Sequence, residues 1–300
     1  MSSKGSGANR SGCLTSFVIA SRDRSPELVA VVGRLLRESS CPIIVVDNGS
    51  RDNSVAALSV LAARSPDRLV VIPLAENLGA VGRNVGVAAA DTPYVAFCDD
   101  DSWWAPDATA RAEEIFARHP TVALLAARTV VLPSGRVDEL SDLLAGSALG
   151  HDPALPGPSI LGFLACSSIV RKDAFEAVGG FSRILHFRGE EGLLALDLAA
   201  AGWDLCFSPD LVAYHQPSSV RPPDAAQRAR SLRNDVLTTW LRRPPGECVR
   251  AAGRLARAAA RDEEHGKALA EALRLLPSVW RGRRRLPRDV ERSLAVLAAG

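Results

Sequence analysis

The chain has 300 residues, 47% of them hydrophobic and 5% aromatic, enough apolar content for a substantial core. Six scattered cysteines (Cys13, Cys41, Cys98, Cys166, Cys206, Cys248) show no CxxC or Cys/His ligand spacing, which argues against structural zinc. The net charge of +2 hides an asymmetry: residues 221–300 carry 18 Arg/Lys against 9 Asp/Glu, which leaves 18 against 25 in residues 1–220.

Residues 1–12 are polar and expected to be disordered, without the apolar run of a signal peptide. Leu14 to Ala20 reads as a first strand, followed by a loop at Ser21-Arg22-Asp23-Arg24. Pro26 to Glu38 has helical periodicity, with Ser25 a candidate N-cap. Pro42 to Val46 is a second strand ending in Asp47-Asn48-Gly49-Ser50, and Asn53 or Asp52 caps a helix reaching Ala63. Arg68 to Ile72 is a third strand, and Asn77-Leu78-Gly79 opens a helix to about Ala90. Tyr94 to Cys98 is a fourth strand, broken off by Asp99-Asp100-Asp101 and then Trp103 and Trp104. The alternation of strand and helix predicts a parallel sheet covered on both faces. The carboxylates at Asp47 and Asp99 to Asp101 then follow strands that could be neighbours, so both would face one crevice.

Further on, a helix is expected around Asp107 to Arg118, and strands over Thr121 to Val131, Phe163 to Val170, Trp203 to Phe207 and Leu211 to Tyr214. Residues 140–160 read as a loop-rich, mobile segment over a site. Short helices are expected at Lys172 to Val178 and Glu190 to Ala201, with Gly179-Gly180-Phe181 between them. From Pro222 the pattern is helical. No stretch is apolar enough to span a bilayer, so the expected location is cytoplasmic, or peripheral at the inner face of a membrane.

Three adjacent carboxylates repel one another unless a cation arrives, and Mg²⁺ or Mn²⁺ carrying phosphate oxygens is the matching partner. A solvated acidic turn or an N-cap also fits the triplet taken alone. The order of the surrounding motifs points further. Val45-Val46-Asp47-Asn48-Gly49-Ser50-Arg51-Asp52 resembles a nucleotide loop, and Asn77-Leu78-Gly79 with Arg83-Asn84-Val85-Gly86 resembles an N-x-G…R-N-x-G segment. Asp99-Asp100-Asp101 resembles a D-x-D motif, Gly179-Gly180-Phe181 a GGF, Gly189-Glu190-Glu191 a G-E-D, and His215 a late histidine. Together they resemble a family 2 glycosyltransferase of GT-A fold.

That resemblance implies an α/β domain over residues 13–220, a mostly parallel central sheet flanked by helices, and a basic helical extension over 221–300. It implies an inverting transfer from a nucleotide-diphosphate sugar to an acceptor hydroxyl, assisted by Mg²⁺ or Mn²⁺. Asp101 would be the principal metal ligand, Asp99 would face ribose or metal, and His215 would be an additional ligand. Ser21, Asp47, Arg83, Asp99 and Asp100 would form the nucleotide-sugar site, with Asp47 accepting from the base and Arg83 pairing phosphate or base. The base that deprotonates the acceptor would be Glu191 or Glu190; the motif position favours Glu191, although Glu replaces the usual Asp. Trp103 and Trp104 would wall the sugar pocket or belong to the core. A nucleotidyltransferase is the competing enzyme reading, but Ala20-Ser21-Arg22-Asp23 lacks its glycines; a degenerate nucleotide-sugar-binding protein is the non-enzymatic one. The acceptor stays open between saccharide, glycolipid and small natural product, and no recognisable module points to nucleic acid. The cluster Arg281-Gly282-Arg283-Arg284-Arg285 either contacts an anionic membrane or is a solvated helix end or a clamp on the acidic body.

Overall fold

The computed structural model describes residues 12–217 and 224–299, so the disorder expected for residues 1–11 lies outside the described residues. The first half is built as its sequence pattern requires. Strands β1 (Thr15–Ser21), β2 (Ile43–Asp47), β3 (Leu69–Pro73) and β4 (Tyr94–Cys98) alternate with helices α1 (Ser25–Glu38), α2 (Ser54–Arg64) and α3 (Val81–Ala89). All four strands are parallel, in the order β3-β2-β1-β4. Successive residues point to opposite faces, and both faces are apolar. Phe17, Ile19, Ile43, Val45, Ala96 and Cys98 join one core with α1 and α2. Val18, Ile44, Val46, Val95 and Phe97 join the other with α3.

The strands bearing Asp47 and the acid triplet are not neighbours: β1 lies between them and adds Ser21 at the same edge. Ser25 does not cap α1, because it is already helical and Arg24 precedes the first turn without a capping bond. The cap comes from Asp52, whose carboxylate accepts from the Ser25 N–H at 2.9 Å and from the Ser54 N–H at 2.9 Å. One side chain thus serves the starts of two helices. The third helix begins at Val81, later than Asn77-Leu78-Gly79, which forms a loop.

Beyond β4 the sheet continues with mixed directions: β8 (Ser168–Arg171), β6 (Val122–Val131), β9 (Asp204–His215) and β5 (Ser102–Trp104), with β7 (Arg136–Val137) paired to β6. The pairing of β8 with β4 is antiparallel, that of β6 with β9 parallel, and that of β5 with β9 antiparallel. The two late strands expected around Ser208-Pro209-Asp210 are one, because the turn residues are absorbed as an irregularity in the pairing with β6 between Ala127 and Arg128. Phe163 to Val170 is only half a strand, its middle being a 3₁₀ turn over Ala165–Ser167. Segment 140–160 opens with α5 (Glu139–Ala145) and then runs along the free edge of β9, where Phe207 N–H donates to Pro158 O at 3.0 Å and Ile160 N–H to Leu205 O at 3.0 Å. It satisfies an exposed sheet edge and is not a free flap. Helices α4 (Ala108–Arg118), α6 (Lys172–Val178) and α7 (Glu190–Ala200) complete the cover. A disulfide joins Cys13 to Cys41, tying the approach to β1 to the approach to β2. Trp103 and Trp104 are core, with Trp104 Nε1 donating to Phe97 O at 3.0 Å.

The C-terminal region is α8 (Asp224–Arg242), α9 (Pro245–Ala259), α10 (Glu263–Arg274), α11 (Leu276–Gly282) and α12 (Arg288–Ala299). Helices α8 to α11 share an apolar core with Leu185 and Leu193 of the sheet-bearing part of the chain. Among the described residues no helix is long and apolar enough to cross a membrane.

Part of the attachment of this region is polar. Asn234 of α8, fully buried, donates through Nδ2 to Leu185 O at 3.0 Å and Phe187 O at 2.9 Å, and also reaches Arg188 O. Within this loop His186 and Arg188 hold positive φ values of 63° and 74°, conformations that non-glycine residues adopt only when their surroundings impose them. Leaving buried carbonyls without donors costs about 1–3 kcal/mol. Asn234→Ala should therefore lower the denaturant midpoint by an amount equivalent to about 1–3 kcal/mol. An unchanged midpoint would show that the loop holds itself.

Candidate active site

The site lies where β1, β2 and β4 end at one edge of the sheet. Ser21 is the register partner of Asp47, and Cys98 of Ile19, so the acid triplet runs out beside the end of β1. The Asn48 N–H donates to Ser21 O at 2.8 Å, and the Leu74 N–H to Asp47 O at 2.9 Å. The nucleotide-type loop is thereby pinned on both sides. Gly49 sits at φ 74°, and a Cβ there would approach the Glu76 backbone to 3.0 Å. The Asn48 side chain donates to Gly79 O at 2.9 Å and accepts from the Leu78 N–H at 2.8 Å. Gly79 itself lies so close to the His186 carbonyl that a Cβ would stand 2.1 Å away. The Ala80 N–H then donates to His186 O at 2.6 Å. Four segments distant in sequence are locked into one rim.

Asp47 is buried, and its Oδ2 accepts from the Ser50 N–H at 3.0 Å. Its Oδ1 is buried without a partner, an acceptor left open at the position expected to meet a base. Ser21 and Arg83 are engaged otherwise than expected. Ser21 Oγ donates to Asp100 Oδ2 at 2.6 Å, and Arg24 lies 3.4 Å from Asp100 Oδ1. Burial pushes the Asp100 carboxyl up to about 6, with Asp99 and Asp101 adding to the shift while Ser21 and Arg24 oppose it. Arg83 does not await a phosphate with a free fork. Its guanidinium holds Asp99 at 2.5 Å and Glu190 at 3.6 Å.

Asp101 and His215 meet as the resemblance implies, with Nε2 3.4 Å from Oδ1. The backbone brings them together: antiparallel pairing sets Ser102 against His215, and the Gln216 N–H donates to Asp101 O at 2.8 Å. The hydrogen bond to Asp101 raises the His215 pKa, while burial opposes it. Among the described residues no group of three or more His, Cys, Asp or Glu closes into a cage that could hold a metal by itself. A carboxylate and an imidazole at one point nevertheless suit a transition-series divalent ion that takes its remaining ligands from phosphate and water.

Glu190 and Glu191 open α7 behind Gly189, which has φ 74°. Glu190 is 2% exposed, with Oε1 toward Arg83 and Oε2 without a partner. Burial drives its pKa up to about 7, the Glu191 charge adding to the rise and Arg83 opposing it. Glu191 is only partly buried. Burial raises its pKa as well, opposed by its own N–H, by Arg83 and by the Ala165 N–H. The GGF segment is held by Asn84, whose side chain accepts from the Phe181 N–H at 3.0 Å and donates to Phe181 O at 2.9 Å.

Sequence reasoning missed Asn48 as a builder of the rim and offered Asp52 as a cap for the second helix only, not for the first as well. Asp52 and Asn48 lay within quoted motifs and carried a signal as turn residues. Arg233-Asn234 to Trp240 resembles a segment that packs on such a domain in some relatives, but nothing in the sequence tied Asn234 to the carbonyls of residues 185–188.

The sequence matches glycosyl transferase family 2 over residues 16–179, more than half of the chain. A pre-mycofactocin glycosyltransferase of Mycobacterium tuberculosis is 32% identical over 189 residues, 60% of this chain and 38% of the relative. An uncharacterized glycosyltransferase of Nostoc sp. is 30% identical over 112 residues, 37% of this chain and 35% of the relative. The chain thus spans little more than a third of the length of either. Among solved structures, a mannosyltransferase of Pyrobaculum calidifontis in complex with GDP-Man and Mn²⁺ aligns with TM-score 0.60 at 20% identity, covering 97% of this chain and 80% of that one. TarS residues 1–349 of S. aureus in complex with UDP aligns with TM-score 0.55 at 15% identity, covering 87% and 71%. The fold is that of these glycosyltransferases, and the chain belongs to glycosyl transferase family 2.

Proposed function

We propose that the protein is an inverting glycosyltransferase. It would move a sugar from a nucleotide-diphosphate sugar to an acceptor hydroxyl, with Mg²⁺ or Mn²⁺ at the diphosphate. The observation that carries this reading is the meeting of an open acceptor on Asp47, the Asp101–His215 pair and two α7 carboxylates around one rim. The ligands named for the solved neighbours, GDP-Man, UDP and UDP-GlcNAc, support the donor class.

Asp47 Oδ1 would accept an N–H of the nucleobase, relieving a buried acceptor. Asp101 and His215 would hold the metal, with Asp99 the further candidate, and a divalent cation there spreads the charge that builds on a departing diphosphate. Glu191 is the base. It is the more exposed of the pair, and Glu190 is sealed against Arg83. A Glu191 oxygen takes the proton of the acceptor hydroxyl while that oxygen attacks the anomeric carbon. The bond to the diphosphate breaks from the opposite face, and the electron pair leaves on the phosphate oxygen. One displacement inverts the configuration.

Glu191→Gln should cut kcat roughly 100- to 10,000-fold while nucleotide affinity holds. Glu190→Gln should cost less and act through the placement of Arg83. A larger loss at Glu190 would reverse the assignment. The pH profile follows from the raised Glu191 pKa. A base that holds its proton above the ordinary glutamate value of 4.5 is inactive to higher pH. The acid limb of kcat/KM should therefore lie on the neutral side of 4.5, with activity rising as pH rises through it. A flat profile down through 4.5 would exclude Glu191 as the base.

Metal use is read from melting temperatures in UDP, GDP, dTDP and CDP, with and without Mn²⁺. One nucleotide should raise the melting temperature in a Mn²⁺-dependent way, and Asp101→Ala should abolish that dependence. No shift with any of the four nucleotides would sink the transferase reading.

A further inference from the structure

We propose that the exposed face of α10 and α11 docks on an anionic bilayer surface. Trp280 is 83% exposed, more than any other large apolar side chain among the described residues. Leu276 and Leu273 are 42% and 51% exposed. Residues 273, 276 and 280 fall at helical i, i+3, i+7 spacing across the junction of α10 and α11, where Leu275 keeps right-handed helical angles. Exposed Pro277 extends the stripe. Along the chain the stripe and its C-terminal flank carry charge of one sign: between Glu271 and Asp289 there are six arginines and no acid. Arg274, Arg281, Arg284, Arg285 and Arg288 are all exposed.

This is a fixed feature and not a trailing end. Val279 is buried in the helical core beside Trp280. Arg283 donates to Arg243 O at 2.7 Å, and the Arg284 N–H to Leu241 O at 3.0 Å. A Cβ on Gly282 would sit 3.4 Å from Leu241, so α11 packs closely on α8. The fold thus holds a tryptophan and two leucines outward at no benefit to its own core. An amphipathic aromatic with aliphatic neighbours enters the headgroup boundary, and arginines without acids add attraction to anionic lipid. A nucleic acid would use the arginines but leave the leucine stripe in water. The clamp on the acidic body is not formed by this stretch: of its arginines, Arg283 contacts α8 and α9, and the others named point to solvent.

The test is co-sedimentation of the whole chain with vesicles, and it needs no transfer activity. Vesicles of phosphatidylcholine with phosphatidylglycerol should pellet the protein at low salt, and phosphatidylcholine alone should not. At roughly fivefold per arginine, R281Q/R284Q/R285Q should weaken partition about 100-fold. W280S should weaken it as well, with circular dichroism unchanged because the residue is exposed. Binding that ignores either set of substitutions, or equal binding to neutral vesicles, would overturn the proposal. So would self-association of the free chain that W280S abolishes, which would assign the patch to a second copy.

Discussion

Arg83 carries two carboxylates that belong to different halves of the site. Asp99 follows β4 and lies with the donor-side acids; Glu190 opens α7 beside the candidate base. All three groups sit in or beside the core, where an unpaired charge is far more costly than a paired one. With its guanidinium nitrogens shared between two acids, Arg83 holds its proton firmly, its own pKa pushed up by Asp99 and Glu190 against the opposing effect of burial. One side chain therefore ties the end of β4 to the start of α7. Its Nε remains buried without a partner, so even this contact is not saturated.

Much of the first half was legible because it is governed by local rules. Strands buried on both faces read as unbroken apolar runs, and each ends where polar residues take over. The second half obeys pairings between distant segments, which leave little local trace. Ser208-Pro209-Asp210 looks like a break, yet β9 runs through it because β6 supplies a continuous partner. Residues 140–160 look loose, yet part of the segment is spent on the free edge of β9.

The site divides in the same way. Asp47, Asp99, Asp101, Glu190 and Glu191 could be named because carboxylates at strand ends and helix starts are conspicuous. What each side chain touches could not. Ser21 turns to Asp100 and Arg83 to two acids, because buried groups find protein partners when no ligand competes. The approach of His215 to Asp101 depends on the register of β5 against β9, which links residues more than a hundred positions apart. The contacts of Asn234 were illegible for the same reason: its partners, three carbonyls, are not recorded in side-chain identity.

The Asn234 clamp also imposes an order of events. During synthesis, β1 to β9 emerge before α8. Until α8 has left the ribosome, Leu185, Phe187 and Arg188 present carbonyls with no donor from Asn234, and the positive-φ loop leading into α7 lacks its restraint. The donor side of the rim, held by Asn48 and Gly49, has all its parts earlier. A chain that has not yet reached α8 would thus hold the loops at Asn48 and Gly49 while leaving the approach to α7 unset. The restraint on the loop before α7 thus comes from a segment later in the sequence than every strand of the sheet.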